Sequence, residues 1–332
     1  MLEYLIIQLD DTSTSYCHYE NRKTNPHLIS LDDLRTGILF AMKENLMIQF
    51  VYPGYELPQE YKDVINTIDH NNIVSSLCQD KRLKEKADVI VFNNWADINE
   101  QQLHNEMTCV LRITKADLFG HYQSLMSTLH SVKRLNIVIT DIETFKEEDF
   151  KDYDDILHAL SKEVEKLYLD GISPQLNILT DRIMLTEMNN CDAGWKNVTL
   201  APNGKFYVCP AFYQQRETDG TEISVVELCQ KGYTLGDLQH GLSVNNPQLY
   251  KLDHAPICRN CDAYQCKRCI WLNRKTTCET NTPSHEQCVV AHLERNNSRV
   301  LLSNIRAHGS FLPEKGTIEE IDYLDPFDKI EN

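Results

Sequence analysis

Apolar residues in the first half of the chain fall into short runs and helical repeats that follow one another. Short apolar runs bounded by polar residues, which are typical of buried strands, lie at residues 2–9, 46–52, 87–93, 108–113, 135–142 and 175–181. Helical spacing of apolar residues appears at 31–45, 56–69, 115–132 and 150–171. Ser30 is the predicted N-cap of the first helix, and Gly171 is predicted to end the last one.

Strands that alternate with helices predict parallel β-α-β units. Five or six such units fit an open, partial (β/α) barrel better than a complete eight-fold barrel. We therefore expect an α/β fold over this part of the chain. No Gly-rich phosphate loop follows any predicted strand, so a Rossmann dinucleotide site is not expected.

Most of the twelve cysteines lie in two blocks further along the chain. The first block, CDAGWKNVTLAPNGKFYVC, runs from Cys191 to Cys209 and contains Gly204. The second block, CRNCDAYQCKRC, is followed after a gap by one more cysteine, so that its members are Cys258, Cys261, Cys266, Cys269 and Cys288. A Cys-x-x-Cys turn directs two sulfurs into one concavity, so these blocks predict a soft metal centre.

The spacing favours iron–sulfur clusters over zinc. Zinc sites usually separate their two Cys-x-x-Cys pairs by a dozen or so residues, whereas four residues separate the pairs here. Zinc stays open as the alternative, and disulfides are less favoured because the chain shows no secretory signal. Cys229 and Cys278 are either additional ligands or small apolar fillers, while Cys78 and Cys109 are expected to be core residues or incidental. Asn203-Gly204 predicts a hairpin that returns Cys209 towards Cys191.

Both blocks together resemble a SPASM domain, the C-terminal auxiliary-cluster domain of many radical S-adenosylmethionine (SAM) peptide-modifying enzymes. In that family a Cys, a Gly and a second Cys precede a tight four-Cys group and a last Cys. Twelve residues separate Cys191 from Gly204 here, and the four-Cys group and Cys288 follow in order. The last two intervals of the four-Cys group are each one residue shorter than the usual pattern. The segment from Cys266 also resembles the narrower group of CXXX-repeat peptide maturases.

The resemblance implies three regions and one or two [4Fe-4S] clusters. Residues 1–185 would form a radical SAM-like partial barrel, residues 186–300 a SPASM-like iron–sulfur domain, and residues 301–332 a C-terminal extension. One cluster would use Cys191, Cys209 and Cys269, its fourth ligand being another residue or absent. The other cluster would use the four cysteines Cys258, Cys261, Cys266 and Cys288.

Radical SAM enzymes also carry Cys-x-x-x-Cys-x-x-Cys after their first strand, and this chain lacks it. Of the three positions, only the last is a cysteine, Cys17, while the others are Asp10 and Thr14. A single thiolate with a carboxylate and a hydroxyl is a poor site for a soft cluster. SAM is therefore not expected as a cofactor, although the fold is expected to be that of the family.

Charge and hydropathy narrow the partners. The formal net charge is −16 without any long basic run, which disfavours nucleic acid as the main partner. An acidic surface either attracts a basic peptide or protein or serves solubility alone. No apolar run approaches the roughly 18 residues of a membrane span. A cytoplasmic location is expected, because no secretory signal is recognisable.

The leading hypothesis is a maturation protein for a ribosomally synthesised, Cys-containing peptide. It would assist a complete radical SAM partner enzyme and would not cleave SAM itself. One alternative is a non-catalytic, cluster-bearing adaptor that binds the peptide or transfers electrons. The other is a zinc-stabilised scaffold.

Overall fold

The computed structural model describes residues 2–99, 103–104, 106–214 and 233–312. Its strands are β1 (Tyr4–Gln8), β2 (Met47–Val51), β3 (His70–Ser75), β4 (Val89–Phe92), β5 (Thr108–Ile113), β6 (Arg134–Ile139), β7 (Gln175–Leu176), β8 (Asn197–Leu200), β9 (Lys205–Tyr207), β10 (Thr234–Asp237) and β11 (Gly241–Leu242). Its helices are α1 (Leu31–Glu44), α2 (Gln59–Ile65), α3 (Lys81–Glu85), α4 (Trp95–Asn99), α5 (Lys115–Leu129), α6 (Glu147–Leu169), α7 (Thr180–Met184), α8 (Pro210–Tyr213), α9 (Ile270–Thr277) and α10 (His285–Ala307).

All described strands belong to one sheet with the order β11-β10-β9-β8-β1-β2-β3-β4-β5-β6-β7. Strands β1 to β7 are parallel neighbours in chain order, as β-α-β units require. On the other side of β1, β8 is also parallel, whereas β9, β10 and β11 continue the sheet as antiparallel strands. The expected α/β class with a parallel core is therefore confirmed.

Residues of the parallel strands alternate between two apolar layers. The larger layer lies between the sheet and the helices and includes Leu5 and Ile7 of β1. The intervening residue, Ile6, belongs to a second cluster on the opposite face, with Val51, Ile73, Val91 and Val110. Because both faces are covered, most strand residues are apolar, as in buried parallel sheets. Tyr16, in the loop after β1, packs against the second cluster.

Several predicted element ends are confirmed. The Ser30 side chain accepts a hydrogen bond from the Asp33 backbone N–H and caps α1. Gly171, with φ of 82°, follows α6, and its N–H donates to the Tyr168 carbonyl.

Two element predictions differ from the structure. Strand β3 was not predicted, because its sequence HNNIVS is half polar and lacks a clear apolar run. The predicted strand at 175–181 is wrong beyond Leu176, since helix α7 begins at Thr180. The Thr180 hydroxyl donates to the Leu176 carbonyl and accepts from the Leu176 N–H, which ends the strand early.

Helix α10 joins the Cys-rich part of the chain to the barrel part. The Tyr153 hydroxyl on α6 donates to Glu294 on α10 at 2.9 Å, and both side chains are buried. The helix runs across residue 300, where the sequence analysis placed a boundary, and ends at Ala307. Residues 313–332 of the predicted extension lie outside the described part. None of the described helices combines the length and apolarity that a membrane crossing requires.

Candidate functional site

The loop after β1 lies at the carboxyl edge of the parallel strands, where α/β folds place their sites. The His18 ring Nδ1 lies 3.0 Å from the Ile139 carbonyl at the end of β6. The Arg112 Nε at the end of β5 donates to the Cys17 carbonyl at 2.8 Å. The loop therefore crosses this edge from β1 to β6 and places Cys17 over it.

Asp10 and Thr14, at the other two positions of the missing motif, form hydrogen bonds with neighbouring parts of the fold. One carboxylate oxygen of Asp10 accepts from the Thr12 N–H at 2.8 Å, and the other accepts from the Tyr55 hydroxyl at 2.8 Å. The Asp10 side chain is fully buried. The Thr14 N–H donates to the Tyr52 carbonyl. Asp10 thus closes the loop onto its neighbours, and neither residue supplies a thiolate.

A hairpin brings the first cysteine block together. Strands β8 and β9 pair as Thr199↔Tyr207 and Leu200↔Phe206, and Gly204 in the connecting turn has φ of 72°, a conformation that glycine adopts without strain. The predicted Asn-Gly hairpin is therefore present.

Three cysteines of the first predicted cluster lie within electrostatic range of one another, and Cys17 lies within range of them. We call Cys17, Cys191, Cys209 and Cys269 the first cysteine group. Burial, followed by the charges of Cys269 and Cys191, raises the pKa of Cys209 well above its usual value. Burial, followed by Cys191, raises the pKa of Cys269 to about 12. Burial, followed by Cys191 and Cys269, raises the pKa of Cys17 far above the usual range.

The second cysteine group consists of Cys258, Cys261, Cys266 and Cys288. Burial raises the pKa of Cys266 to about 12, and the charges of Cys258 and Cys261 contribute to the increase. Burial likewise raises the pKa of Cys258 to about 11. Cys288 approaches from α10: His292, one helical turn later on the same face, has its Nε2 3.6 Å from the Cys261 sulfur.

Backbone N–H groups point at the sulfurs of both groups. The Ala263 N–H donates to the Cys261 sulfur at 3.4 Å, and the Arg268 N–H donates to the Cys266 sulfur at 3.5 Å. Hydrogen bonds from backbone N–H groups also favour the thiolates of the first group, and their donors are Ala193 for Cys191, Ala211 for Cys209, and Leu272 and Trp271 for Cys269. Such bonds stabilise sulfur anions and tune bound iron.

The donor set therefore fits a soft, positively charged group. Within each group the thiolate charges raise one another's pKa values, and a bound cation would remove that repulsion. No three of the described His, Cys, Asp or Glu side chains form a group that could hold a single metal ion. Ligands of a four-iron cluster are spaced more widely than those of one ion, because they bind different irons.

Arg268, which sequence reasoning missed, lies between the two groups. It is 1% exposed and sits between Cys266 and Cys269 in the chain. Burial lowers the pKa of its guanidinium, while the charges of Cys258 and Cys191 raise it. Its three side-chain hydrogen bonds all go to neutral oxygens, those of Asn190, Asn281 and Tyr250. The only sequence signal for it was a basic residue inside a dense cysteine block.

The remaining cysteines of the described part belong to neither group. Cys278 is disulfide-bonded, and a disulfide sulfur does not carry the thiolate charge that ligation needs. Cys229 lies outside the described residues. Cys78 and Cys109 are buried free thiols in the core, as expected.

Comparison with solved structures identifies the fold. The structure of anSMEcpe with bound AdoMet, another name for SAM, superposes with a TM-score of 0.60 at 12% identity, covering 92% of this chain and 96% of that chain. The structure of anSMEcpe with AdoMet and the Cp18Cys peptide gives 0.58 at 12% identity, covering 92% and 100%. Because anSMEcpe is a radical SAM sulfatase maturase, the likeness over nearly the whole chain decides the fold. The chain has the radical SAM fold.

A further solved structure is less similar to this chain. Streptococcus suis SuiB bound to the precursor peptide SuiA superposes with a TM-score of 0.43 at 12% identity, covering 87% of this chain and 76% of that chain. No protein-family model and no curated protein sequence matches the chain.

Replacing Gly194 with alanine should destabilise the radical SAM-like chain beside Cys191. Gly194 has φ of 78°, and an added Cβ would lie 2.9 Å from Cγ of the Tyr250 ring. The strained backbone and the overlap with a buried ring should lower the free energy of unfolding by about 2 kcal/mol. Denaturant titration measures the loss. Gly120→Ala is the matched control, because nothing lies near its Cβ on helix α5 and alanine should stabilise it by about 1 kcal/mol.

The stability contribution of Glu294 should depend on pH. Burial raises the pKa of Glu294 to about 7 although Gln265 and Tyr153 donate to its carboxylate. The folded chain therefore keeps a proton that the unfolded chain has lost, so this residue's contribution falls as pH rises from about 4.5 to about 7. Glu294→Gln removes the penalty and should add about 1–3 kcal/mol at pH 8 but little at pH 5.

Denaturant midpoints of wild type and Glu294→Gln at both pH values test this expectation. Glu85→Gln, an exposed substitution at the end of α3, should change the midpoint equally little at each. An effect of Glu294→Gln that is the same at pH 5 and pH 8 would contradict the expectation.

Proposed function

We propose that this chain is a maturation protein for a ribosomally synthesised, Cys-containing peptide and that its two cysteine groups bind one or two [4Fe-4S] clusters. The observation that carries the proposal is the presence of two groups of mostly half-buried cysteines that form no disulfide, with backbone N–H groups directed at their sulfurs, on a radical SAM fold.

The residues of the two groups would act by binding and orienting. Thiolates of the second group would come from Cys258, Cys261, Cys266 and Cys288, and those of the first from Cys191, Cys209 and Cys269. When bound, [4Fe-4S] clusters supply one-electron redox chemistry. Burial of the cysteines limits the access of water, and Arg268 places positive charge between the groups.

We propose that this chain does not cleave SAM and that it assists a complete radical SAM partner. Support comes from the β1 loop, where Asp10 accepts hydrogen bonds from Thr12 and Tyr55 and the position of Thr14 offers only a hydroxyl. Three thiolates are needed to hold the SAM-binding cluster of the family, and this loop contributes Cys17 alone.

A peptide substrate is supported by two observations. The structure of anSMEcpe contains a peptide, Cp18Cys, together with AdoMet, and this chain shares that fold over most of its length. The net charge of −16 would favour a basic leader on the peptide.

Metal analysis of anaerobically purified protein tests the cluster proposal. We expect iron and acid-labile sulfide in equal amounts and a broad visible absorption that bleaches with dithionite. Colourless protein that binds only zinc after reconstitution with iron and sulfide would reject the proposal and favour the scaffold alternative.

Incubation with SAM, dithionite and a candidate peptide tests the division of labour. We expect this chain alone to form no deoxyadenosine. A radical SAM partner enzyme should form deoxyadenosine, and adding this chain should increase the yield of the modified peptide or change which modified peptide is formed. Deoxyadenosine formed by the pure chain would contradict the absence of SAM cleavage. An unchanged partner reaction would favour a role in binding or electron transfer alone.

A further inference from the structure

The position of Cys17 is imposed by the barrel. Arg112 at the end of β5 is 8% exposed, and it donates from Nε to the Cys17 carbonyl at 2.8 Å and from Nη2 to the Tyr19 carbonyl at 2.6 Å. Its third donor, Nη1, bonds to the Asn93 side chain at 2.7 Å. The carbonyls of Cys17 and of the residue two positions later are thus held by one rigid guanidinium, and the Cys17 side chain is half-buried.

The segment that follows Cys209 is attached to the same loop. Cys209 immediately precedes helix α8, and at the end of that helix the Tyr213 hydroxyl donates to the Asp11 carboxylate. The Gln214 side chain donates to the Asp11 carbonyl at 2.9 Å. These contacts join the segment after β9 to the loop after β1, so that Cys17 and Cys209 belong to two pieces of chain that are bonded together.

The remaining members reach the same place from the four-Cys group. The Cys191 N–H donates to the Lys267 carbonyl at 2.8 Å, so Cys191 lies beside the segment that carries Cys269. The thiol of Cys17 interacts electrostatically with Cys191 and Cys269, and it acts in turn on Cys209. Four half-buried cysteines therefore lie on segments of chain that are bonded to one another at the carboxyl edge of the barrel.

We propose that Cys17 is the fourth thiolate ligand of the iron–sulfur cluster bound by Cys191, Cys209 and Cys269. The inference rests on the proposed function and deepens it, because it assigns the ligand that the cysteine blocks left open. On ligation the Cys17 sulfur forms a bond to iron and loses its proton to solvent, with no change of oxidation state. The sulfur left from a radical SAM-type loop would thereby serve the neighbouring cluster.

A cluster with four protein thiolates has no open iron, so neither SAM nor a substrate thiolate binds it directly. The first cluster would then transfer electrons or hold the barrel to the Cys-rich region. Asp10 does not compete for the role, because both of its carboxylate oxygens accept hydrogen bonds within the loop.

The test compares full-length Cys17→Ala and Cys17→Ser with wild type and with Cys78→Ala, all purified anaerobically and reconstituted with iron and sulfide. Cys78 is a buried free thiol outside both groups. Iron and sulfide content, Mössbauer spectra and electron paramagnetic resonance (EPR) spectra before and after mild oxidation are measured. We expect both Cys17 variants to lose one iron of one cluster on mild oxidation and to show a new [3Fe-4S] signal, while wild type and Cys78→Ala do not.

A second measurement keeps the result independent of stability. β-mercaptoethanol is added to the reduced proteins, and we expect it to change the EPR spectrum of the Cys17 variants, where an iron is open, and to leave wild type unchanged. Two results would overturn the inference: wild-type spectra that respond to the added thiol, or Cys17 variants whose iron content and spectra match wild type. If wild type itself contains no iron–sulfur cluster, the proposed function fails with it. If wild type contains clusters whose iron content and spectra do not change when Cys17 is replaced, this inference alone fails and the proposed function stands.

Discussion

Replacing Asp262 with alanine is expected to lower the free energy of unfolding by about 3–5 kcal/mol. Its carboxylate accepts from Arg295 at 2.9 Å, from Arg182 at 3.3 Å and from Arg299, and its side chain is only 7% exposed. The substitution removes the anion that these three guanidinium groups share. Because Asp262 follows Cys261 directly, the four-Cys segment should also lose its attachment to helices α7 and α10.

Denaturant midpoints and iron content per chain measure the two effects. Asp152→Ala, on the exposed face of α6, should change the stability by less than about 0.5 kcal/mol and leave the iron content unchanged. Asp262→Asn keeps the shape of the side chain and removes its charge, so its loss of unfolding free energy should lie between those of Asp262→Ala and Asp152→Ala. A midpoint for Asp262→Ala equal to that of Asp152→Ala would show that the arginines do not depend on this carboxylate.

The stabilisation of the fold by Asp262 should depend on pH. Burial opposes its ionisation, but Arg295 and Arg299 outweigh burial and hold the pKa of Asp262 below its ordinary value. The stabilisation is therefore fully present above the unfolded-state pKa of about 4 and is lost as pH falls through the folded-state value. The stability difference between wild type and Asp262→Ala should shrink on acidification.

Replacing Arg268 with methionine is expected to cost about 3–5 kcal/mol as well, for a different reason. No carboxylate accepts its side-chain hydrogen bonds, which go to the Tyr250 carbonyl at 2.7 Å, to Asn190 at 2.8 Å and to Asn281. Methionine fills much of the volume but leaves the buried Tyr250 carbonyl and the half-buried Asn190 and Asn281 oxygens without this donor. Denaturant midpoints of the metal-free protein isolate this structural loss.

The reduction potential of a bound cluster should also differ between Arg268→Met and wild type. The charge of Arg268 lowers the pKa values of Cys258 and Cys191, so it favours negative charge on both cysteine groups. Its removal should shift the reduction potential of a bound cluster to more negative values, because an added electron loses its compensating cation. Arg268→Lys is the matched variant. It should lose hydrogen bonds, but because it keeps the positive charge, the reduction potential of the bound cluster should stay close to that of wild type. Equal potentials in wild type and Arg268→Met would rule out this electrostatic role.

The two charged residues have opposite roles in the same segment. Asp262 attaches the four-Cys segment to helices through three cations, whereas Arg268 supplies a buried cation whose hydrogen bonds go to neutral oxygens. Loss of Asp262 should therefore affect stability and iron content first, while loss of Arg268 should in addition change redox behaviour. Measuring both properties for both variants separates structural support from electrostatic tuning.

Local patterns predicted most of the parallel barrel. The apolar run at 2–9 and the helical repeat at 31–45 became β1 and α1, because burial of one strand or one helix face depends on residues close in the chain. The same approach missed β3, since its residues His70–Asn72 are polar and only pairing with β2 and β4 makes the segment a strand. It also extended β7 too far, because the turn at Thr180 depends on one side-chain hydroxyl.

The sequence by itself determined the α/β class, the Asn-Gly hairpin and the loss of two of the three cysteines after β1, since each of these depends on residue type and short spacing. Only the tertiary structure decided that Cys17 lies within electrostatic range of Cys191 and Cys269, and that Arg268 lies buried between two groups of thiols. Those relations join segments far apart in the chain, and they arise from the closing of the loop after β1 over the carboxyl edge and the docking of α8 and α10 onto the barrel. No periodicity in the sequence records them.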